Sequence, residues 1–140
     1  MRILIVSQYF APEAFRINDL VKILSARGHA VSILTGMPNY PSGRIFPGYG
    51  FFKRWKDRFE SSLVFRVPIW PRGRGGAFNL SLNYVSYVAS AAVFGLPRLR
   101  GKFDCSFVFA VSPITSCLPA IFFKWFTGTP VVLWVQDLWP

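Results

Sequence analysis

Arg2-Ile3-Leu4-Ile5-Val6-Ser7 and, further on, Ala30-Val31-Ser32-Ile33-Leu34-Thr35 decide the fold class. Both are near-continuous apolar runs, the pattern of strands buried on both faces of a parallel sheet. Between them Gln8-Tyr9-Phe10-Ala11-Pro12-Glu13 breaks the pattern. Ile17, Leu20, Val21 and Leu24 then recur at i, i+3, i+4 and i+7, one face of a helix that Gly28 ends. Strand, helix and strand within thirty-five residues make a βαβ unit with a short crossover.

The alternation continues downstream. From Gly36 to Glu60 periodicity is lost: Pro38, Pro41, Gly43, Pro47, Gly48 and Gly50 interrupt it, among seven aromatic and five basic residues. So many aromatics argue for an ordered, functional loop rather than a disordered one. Leu63-Val64-Phe65-Arg66-Val67 predicts a third strand, closed by Pro68. Pro71-Arg72-Gly73-Arg74-Gly75-Gly76 reads as a solvated basic linker, with phosphate contact as the alternative. Phe103 to Ala110 predicts a fourth strand, Ser112-Pro113 a helix start with proline at the first helical position, and Phe126 the end of that helix. Val131 to Val135 is the fifth strand. Strands near 2–7, 30–35, 63–67, 104–110 and 130–135, in the order 3-2-1-4-5, give an α/β Rossmann-like parallel sheet with helices on both faces.

Ala77 to Leu96 is unusual, because all twenty residues lack charge and fourteen are apolar. A helix of that length is just able to span a bilayer. Its polar residues Asn79, Asn83, Ser86 and Ser90 are spaced 4, 3 and 4 apart, a seam roughly 60° wide at 100° per residue. So narrow a seam predicts cover on more than the sheet side, by lipid, another domain or a partner, and a large exposed apolar face in the chain alone. Arg72 and Arg74 before it, and Arg98, Arg100 and Lys102 after it, suit an anionic membrane surface. An internal helix that has lost its neighbours is the alternative.

The chain has 140 residues, 52% of them hydrophobic, enough for one domain and its core. Sixteen basic against six acidic residues give a net charge of +10, which favours nucleic acid, anionic lipid or a phosphorylated ligand. No nucleic-acid recognition module accompanies that charge. Cys105 and Cys117 show neither metal-ligand nor redox spacing and read as buried free thiols of a reducing cytoplasm. The amino terminus reads as a strand, not as a cleaved signal. The turn after the first strand contains no glycine, so the Gly-x-Gly-x-x-Gly dinucleotide turn is missing, and no Walker lysine motif occurs.

Three separated stretches carry a family resemblance. They are Pro12-Glu13-Ala14-Phe15-Arg16-Ile17-Asn18-Asp19-Leu20 with Arg27-Gly28-His29-Ala30-Val31, Thr35-Gly36-Met37-Pro38-Asn39-Tyr40-Pro41-Ser42-Gly43-Arg44, and Trp134-Val135-Gln136-Asp137-Leu138-Trp139-Pro140. Together they resemble the amino-terminal domain of family-4 retaining glycosyltransferases of the GT-B fold. More narrowly they resemble the WbuB and WcaI branch of bacterial surface-polysaccharide enzymes, which includes amino-sugar (fucosamine) transferases.

That resemblance implies that residues 1–140 are an incomplete, acceptor-side Rossmann-like domain, cut at its own active site. The donor-binding carboxyl-terminal domain with its Glu-x7-Glu signature is absent from the chain, and the 140 residues alone are expected to be inactive. It also implies sugar transfer in the interdomain cleft with retention and without an obligatory metal or cofactor, a nucleotide-sugar being the donor substrate. The implied acceptor is a glycan on a polyprenyl diphosphate, in O-antigen or colanic acid type synthesis. The implied location is cytoplasmic, peripheral on the inner membrane, with the membrane surface and not nucleic acid as partner. A non-catalytic membrane-surface or anionic-ligand module is the alternative.

Each candidate residue has two readings. Asp137, at the carboxyl end of the fifth strand, is placed to orient or deprotonate an acceptor hydroxyl, or to cap a following helix. Glu13 and Arg16 at the first βα turn can serve a diphosphate site or form a surface pair. Asn39 and Tyr40, between Pro38 and Pro41, can bond and stack on a sugar, or merely pack on the first helix. Arg44 extends the same loop as a candidate for phosphate. These residues are expected to converge at the strands' carboxyl ends. His29 is read as structural, and Asp19 and Lys22 as a solvated helix face.

Overall fold

The computed structural model describes residues 1–136. Its elements are β1 (Arg2–Val6), α1 (Arg16–Ala26), β2 (Ala30–Gly36), β3 (Lys56–Phe59), β4 (Ser62–Val67), α2 (Ala77–Ser90), β5 (Cys105–Ala110), α3 (Leu118–Thr127) and β6 (Val131–Val135). One six-stranded sheet runs β3-β4-β2-β1-β5-β6. Every neighbouring pair is parallel except β3 with β4. The five predicted strands are present in the predicted order, and the fold is α/β and Rossmann-like.

Two cores flank the sheet, as period-two alternation requires. Ile3, Ile5, Val31, Ile33 and Val64 face α1, where they meet Ile17 and Val21. Leu4, Val6, Leu34, Val67 and Val108 face the other way, toward Tyr87 and Ala91 of the α2 run and Ala120 and Phe123 of α3. Helices therefore cover both faces. Cys117 belongs to the second core and Cys105 packs against the first, so the sheet lies between the two thiols.

Three expectations need correction. Residues 56–59, expected inside a loop, form the antiparallel edge strand β3. Lys56-Asp57-Arg58-Phe59 has only one apolar residue, but an edge strand needs just one paired side and tolerates charge on the other. The helix after β5 does not start at Pro113, which is extended (φ −89°, ψ 162°). A 3₁₀ turn, Ile114–Cys117, comes first, and the proline in the first turn of α3 is Pro119. The apolar helix outlasts its predicted end: α2 continues through a π-helical segment (Ala91–Gly95) and a 3₁₀ turn (Leu96–Arg98).

Candidate functional site at the carboxyl edge of the sheet

Parallel strands deliver their following loops to one edge, and here the loops after β1, β2 and β4 interlock. Glu13 is the tie between the first two. Its side chain is buried, and its Oε1 accepts the backbone N–H groups of Asn39 (2.8 Å) and Tyr40 (2.7 Å) while Oε2 accepts that of Phe10 (3.2 Å). Burial pushes the carboxyl up from 4.5 to about 7, against the opposing pull of these three N–H groups and of the Arg66 guanidinium. Glu13 thus meets Asn39 and Tyr40 as expected, but it binds the loop backbone rather than facing outward to a ligand.

Asn39 is fully buried and ties the second loop to the third. Its Oδ1 accepts the Arg72 N–H (3.1 Å) and the Asn83 amide (3.4 Å), and its Nδ2 donates to the Met37 carbonyl (3.2 Å). Gly43 closes the same junction at φ 73°: a Cβ there would lie 1.8 Å from the Gly73 carbonyl oxygen, so no side chain fits. Deeper in, Gln8 donates Nε2–H to Asn83 Oδ1 (2.7 Å), which also accepts the Tyr9 hydroxyl (3.2 Å), while the Asn83 amide donates to the Trp70 carbonyl.

Above this network stands an aromatic cluster. Tyr9 stacks on Phe15 with ring centres 5.3 Å apart, and Tyr40 leans on both, at 6.0 Å from Tyr9 and 5.4 Å from Phe15. The Arg72 guanidinium lies 5.6 Å from the Tyr9 ring and 5.5 Å from the Tyr40 ring, and donates to the Tyr9 hydroxyl at 2.5 Å. Burial pushes the Tyr9 phenol up to about 12 although Arg72 pulls it down, so the phenol keeps its proton at neutral pH. Tyr40 is exposed and Arg72 half-buried, so this cluster presents both an aromatic face and a guanidinium at the edge.

The other candidates are placed less closely. Arg16 opens α1, is exposed, and lines a groove of about 610 Å³ with Glu13, Asn18, Asp19 and Lys22. No Glu13–Arg16 pair forms; among the described residues the ion pair within 4.0 Å joins Arg66 to Asp57 (3.7 Å). Arg44 is exposed, and its backbone N–H meets the Ser42 hydroxyl at 3.3 Å, with no side-chain hydrogen bond among the described residues. Asp137 lies outside the described residues. His29 sits at the opposite edge, with Nδ1 3.5 Å from the terminal amine of Met1.

No family model matches the chain. A protein of Escherichia coli (strain K12) named "Putative colanic acid biosynthesis glycosyl transferase WcaI" is 26% identical over 142 residues, covering 98% of this chain and 34% of its own length. This similarity relates the chain to glycosyltransferases. The chain spans about a third of the length of that relative.

Gln8, Tyr9, Phe15, Arg72 and Asn83 belong to the site but are not singled out by the sequence reading. Arg72 falls in the stretch that reads as a solvated linker, with phosphate contact as the alternative, yet its backbone and guanidinium both join the site. Asn83 was visible as part of the polar seam of the apolar helix, but a periodicity does not say which way its seam points. Buried Arg66 was also missed. Its Nη2 donates to the Ala11 carbonyl at 2.6 Å and its guanidinium lies 4.9 Å from the Tyr49 ring, pinning the β1 loop to β4.

Proposed function

We propose that the chain is part of the acceptor-side domain of a retaining GT-B glycosyltransferase of the WbuB and WcaI kind. The complete enzyme moves a sugar from a nucleotide-sugar to a polyprenyl-diphosphate-linked glycan in surface-polysaccharide synthesis, at the cytoplasmic face of the inner membrane. The observation that carries this reading is the cluster of Tyr9, Phe15, Tyr40 and Arg72 on loops locked together by Glu13 and Asn39. Aromatic faces stack on sugar rings, and a guanidinium fork suits a diphosphate. The similarity to a named transferase supports the same reading.

Each residue then has a role. Tyr40 and Arg72 hold the acceptor, Arg16 and Arg44 add positive charge for its diphosphate, and Glu13 and Asn39 fix the loops rather than touch substrate. Gln136 donates its N–H to the Ala110 carbonyl (3.0 Å), so β6 runs out at this same edge, and Asp137 is the next residue in the sequence but lies outside the described residues. In this role Asp137 holds the attacking hydroxyl. In the complete enzyme the nucleotide-sugar belongs to a second, donor-binding domain.

Calorimetric titration separates the two substrates. A short-chain polyprenyl-diphosphate-linked sugar is expected to bind the chain, to bind more weakly after Tyr40→Ala or Arg72→Ala, and the nucleotide-sugar is not expected to bind. Uptake of the nucleotide-sugar without the lipid-linked sugar overturns the assignment. The outer surface of α2 favours a second reading, a non-catalytic membrane-surface or anionic-ligand module. Phe78, Val85 and Val93 are exposed there on a helix long and apolar enough, by length and composition, to cross a membrane. Vesicle binding with no affinity for the lipid-linked sugar would favour that module.

A further inference from the structure

A second cavity lies away from the carboxyl edge, on the sheet face that carries α2. It encloses about 520 Å³ and is lined by Arg2, Lys56, Arg98 and Arg100 together with Trp55, Phe65 and Phe103. Its floor follows from the alternation of the strands: Leu4 and Leu34 face α2, and so therefore do Arg2, Ser32, Leu63 and Phe65, each an even number of residues away along its own strand or paired in register with one that is. Lys56 pairs with Phe65 and shares its face. The helical run from α2 ends at Arg98, which leaves this corner of the sheet uncovered by any helix.

The cations are held in position rather than neutralised. The Arg98 guanidinium stacks 4.4 Å from the Trp55 ring and donates to the Phe94 carbonyl. The Arg2 guanidinium lies 5.3 Å from the Phe103 ring and donates to the Arg100 carbonyl at 3.2 Å. Gly101, at φ 86°, leaves the space this guanidinium occupies: a Cβ there would stand 2.5 Å from its Nη1. Each guanidinium has five N–H donors and spends one on these anchors, so most remain free among the described residues. Among the described residues no carboxylate lines the cavity. Two carboxylates adjoin lining residues in sequence: Asp104 accepts the backbone N–H of Arg2 at 2.7 Å, and Asp57, paired with Val64 on the opposite face of the sheet, lies 3.7 Å from Arg66.

Four like charges around one cavity repel, and stacked, anchored guanidinium groups lose little freedom when an anion arrives. We propose that this cavity binds a phosphate group, with Arg2, Arg98, Arg100 and Lys56 as its donors and the Trp55 and Phe65 rings as an apolar wall for whatever carries it. It is separate from the carboxyl-edge site and does not depend on the proposed transferase activity. A lipid headgroup and a free phosphate compound present the same chemistry, and the site accepts either by the same contacts.

The test uses inorganic pyrophosphate in solution and vesicles of phosphatidylglycerol, with phosphatidylcholine vesicles as reference, all at fixed salt because exposed charges are screened. Lys56→Gln with Arg100→Gln removes two cavity charges from exposed side chains that carry no hydrogen bond among the described residues, so the fold is expected to persist. Arg27→Gln with Arg58→Gln removes the same charge elsewhere. The expected result is a loss of affinity of at least tenfold in the first double variant and less than twofold in the second, with the Trp55 indole N–H resonance moving on titration. Loss seen with pyrophosphate assigns a free phosphate ligand, and loss seen with anionic vesicles alone assigns a headgroup. Equal loss in both double variants, or no binding of either probe to the wild type, overturns the proposal.

Discussion

Helices α1 and α2 cover opposite faces of one sheet and differ in what accompanies the apolar residues they bury. In α1, Ile17 and Val21 are buried while Arg16, Asp19 and Lys22 face out. In α2, Tyr87 enters the core but Asn83 beside it is also buried, bonded to Gln8 and the Trp70 carbonyl, Ser86 accepts the Trp70 N–H at 2.8 Å, and Phe78 and Val85 are exposed together with Ser81. A helix that meets water gains by turning its apolar stripe inward. One that buries an amide beside its core ring and leaves a phenyl ring and a valine outside gains less from water on that side. The contrast marks the α2 face as the side expected to meet lipid or protein, and it also explains how one asparagine organises the carboxyl-edge loops.

The largest effects test the two inward faces. Ile17→Ala should cost about 2–5 kcal/mol through lost burial and a cavity. Asn83→Leu should cost about 2–4 kcal/mol by removing the acceptor of the Gln8 amide and the Tyr9 hydroxyl and the donor to the Trp70 carbonyl. Urea denaturation checks both, and a neutral Asn83→Leu would break the comparison by making the polar seam incidental. Next is Glu13, whose carboxyl titrates at about 7 in the folded chain against an ordinary 4.5. Because folding raises this pKa, the contribution is full below about 4.5 and is lost as pH rises through about 7, an effect of about 3 kcal/mol at most. Melting curves at pH 5 and pH 8 should show that loss in the wild type and not in Glu13→Gln; the same pH dependence in both would remove Glu13 from the account.

Smaller effects test the outward faces. Phe78→Ser with Val85→Ser should leave stability within about 1 kcal/mol of wild type but lower binding to anionic vesicles about tenfold or more, because each apolar side chain gains about 1.5–3 kcal/mol when buried. Undiminished vesicle binding would leave the apolar face to a protein partner. The smallest effect belongs to α1, where Asp19→Ala should change stability by less than about 0.5 kcal/mol and leave vesicle binding unaltered. A large change there would erase the difference between the helices.

Much of this fold is legible in the sequence, because buried parallel strands are written as apolar runs and α1 as a 3.6-residue period. The polar seam of α2 is equally legible as a period. Its direction is not, since facing inward depends on Gln8 and Trp70, which lie 75 and 13 residues away from Asn83. β3 is hidden because an edge strand need not be apolar. Within the site, Asn39 and Tyr40 are recognisable from their stiff proline-flanked setting. Glu13 is recognisable as special but not as buried: its three partners are backbone N–H groups, which no side-chain pattern reveals. Arg72 is obscured by its glycine neighbours, which suggest solvent until the Tyr9 and Tyr40 rings are placed beneath its guanidinium.

Transfer of labelled sugar tests the central claim most directly, in a protein that carries this chain joined to a donor-binding domain. The account predicts that label passes from the nucleotide-sugar to a polyprenyl-diphosphate-linked acceptor, and that Asp137→Asn lowers turnover by roughly 10²- to 10⁴-fold with the melting temperature unchanged. Turnover that stays near the wild-type rate while the melting temperature falls would make Asp137 a helix cap, and absence of transfer to any lipid-linked acceptor would contradict the transferase assignment itself.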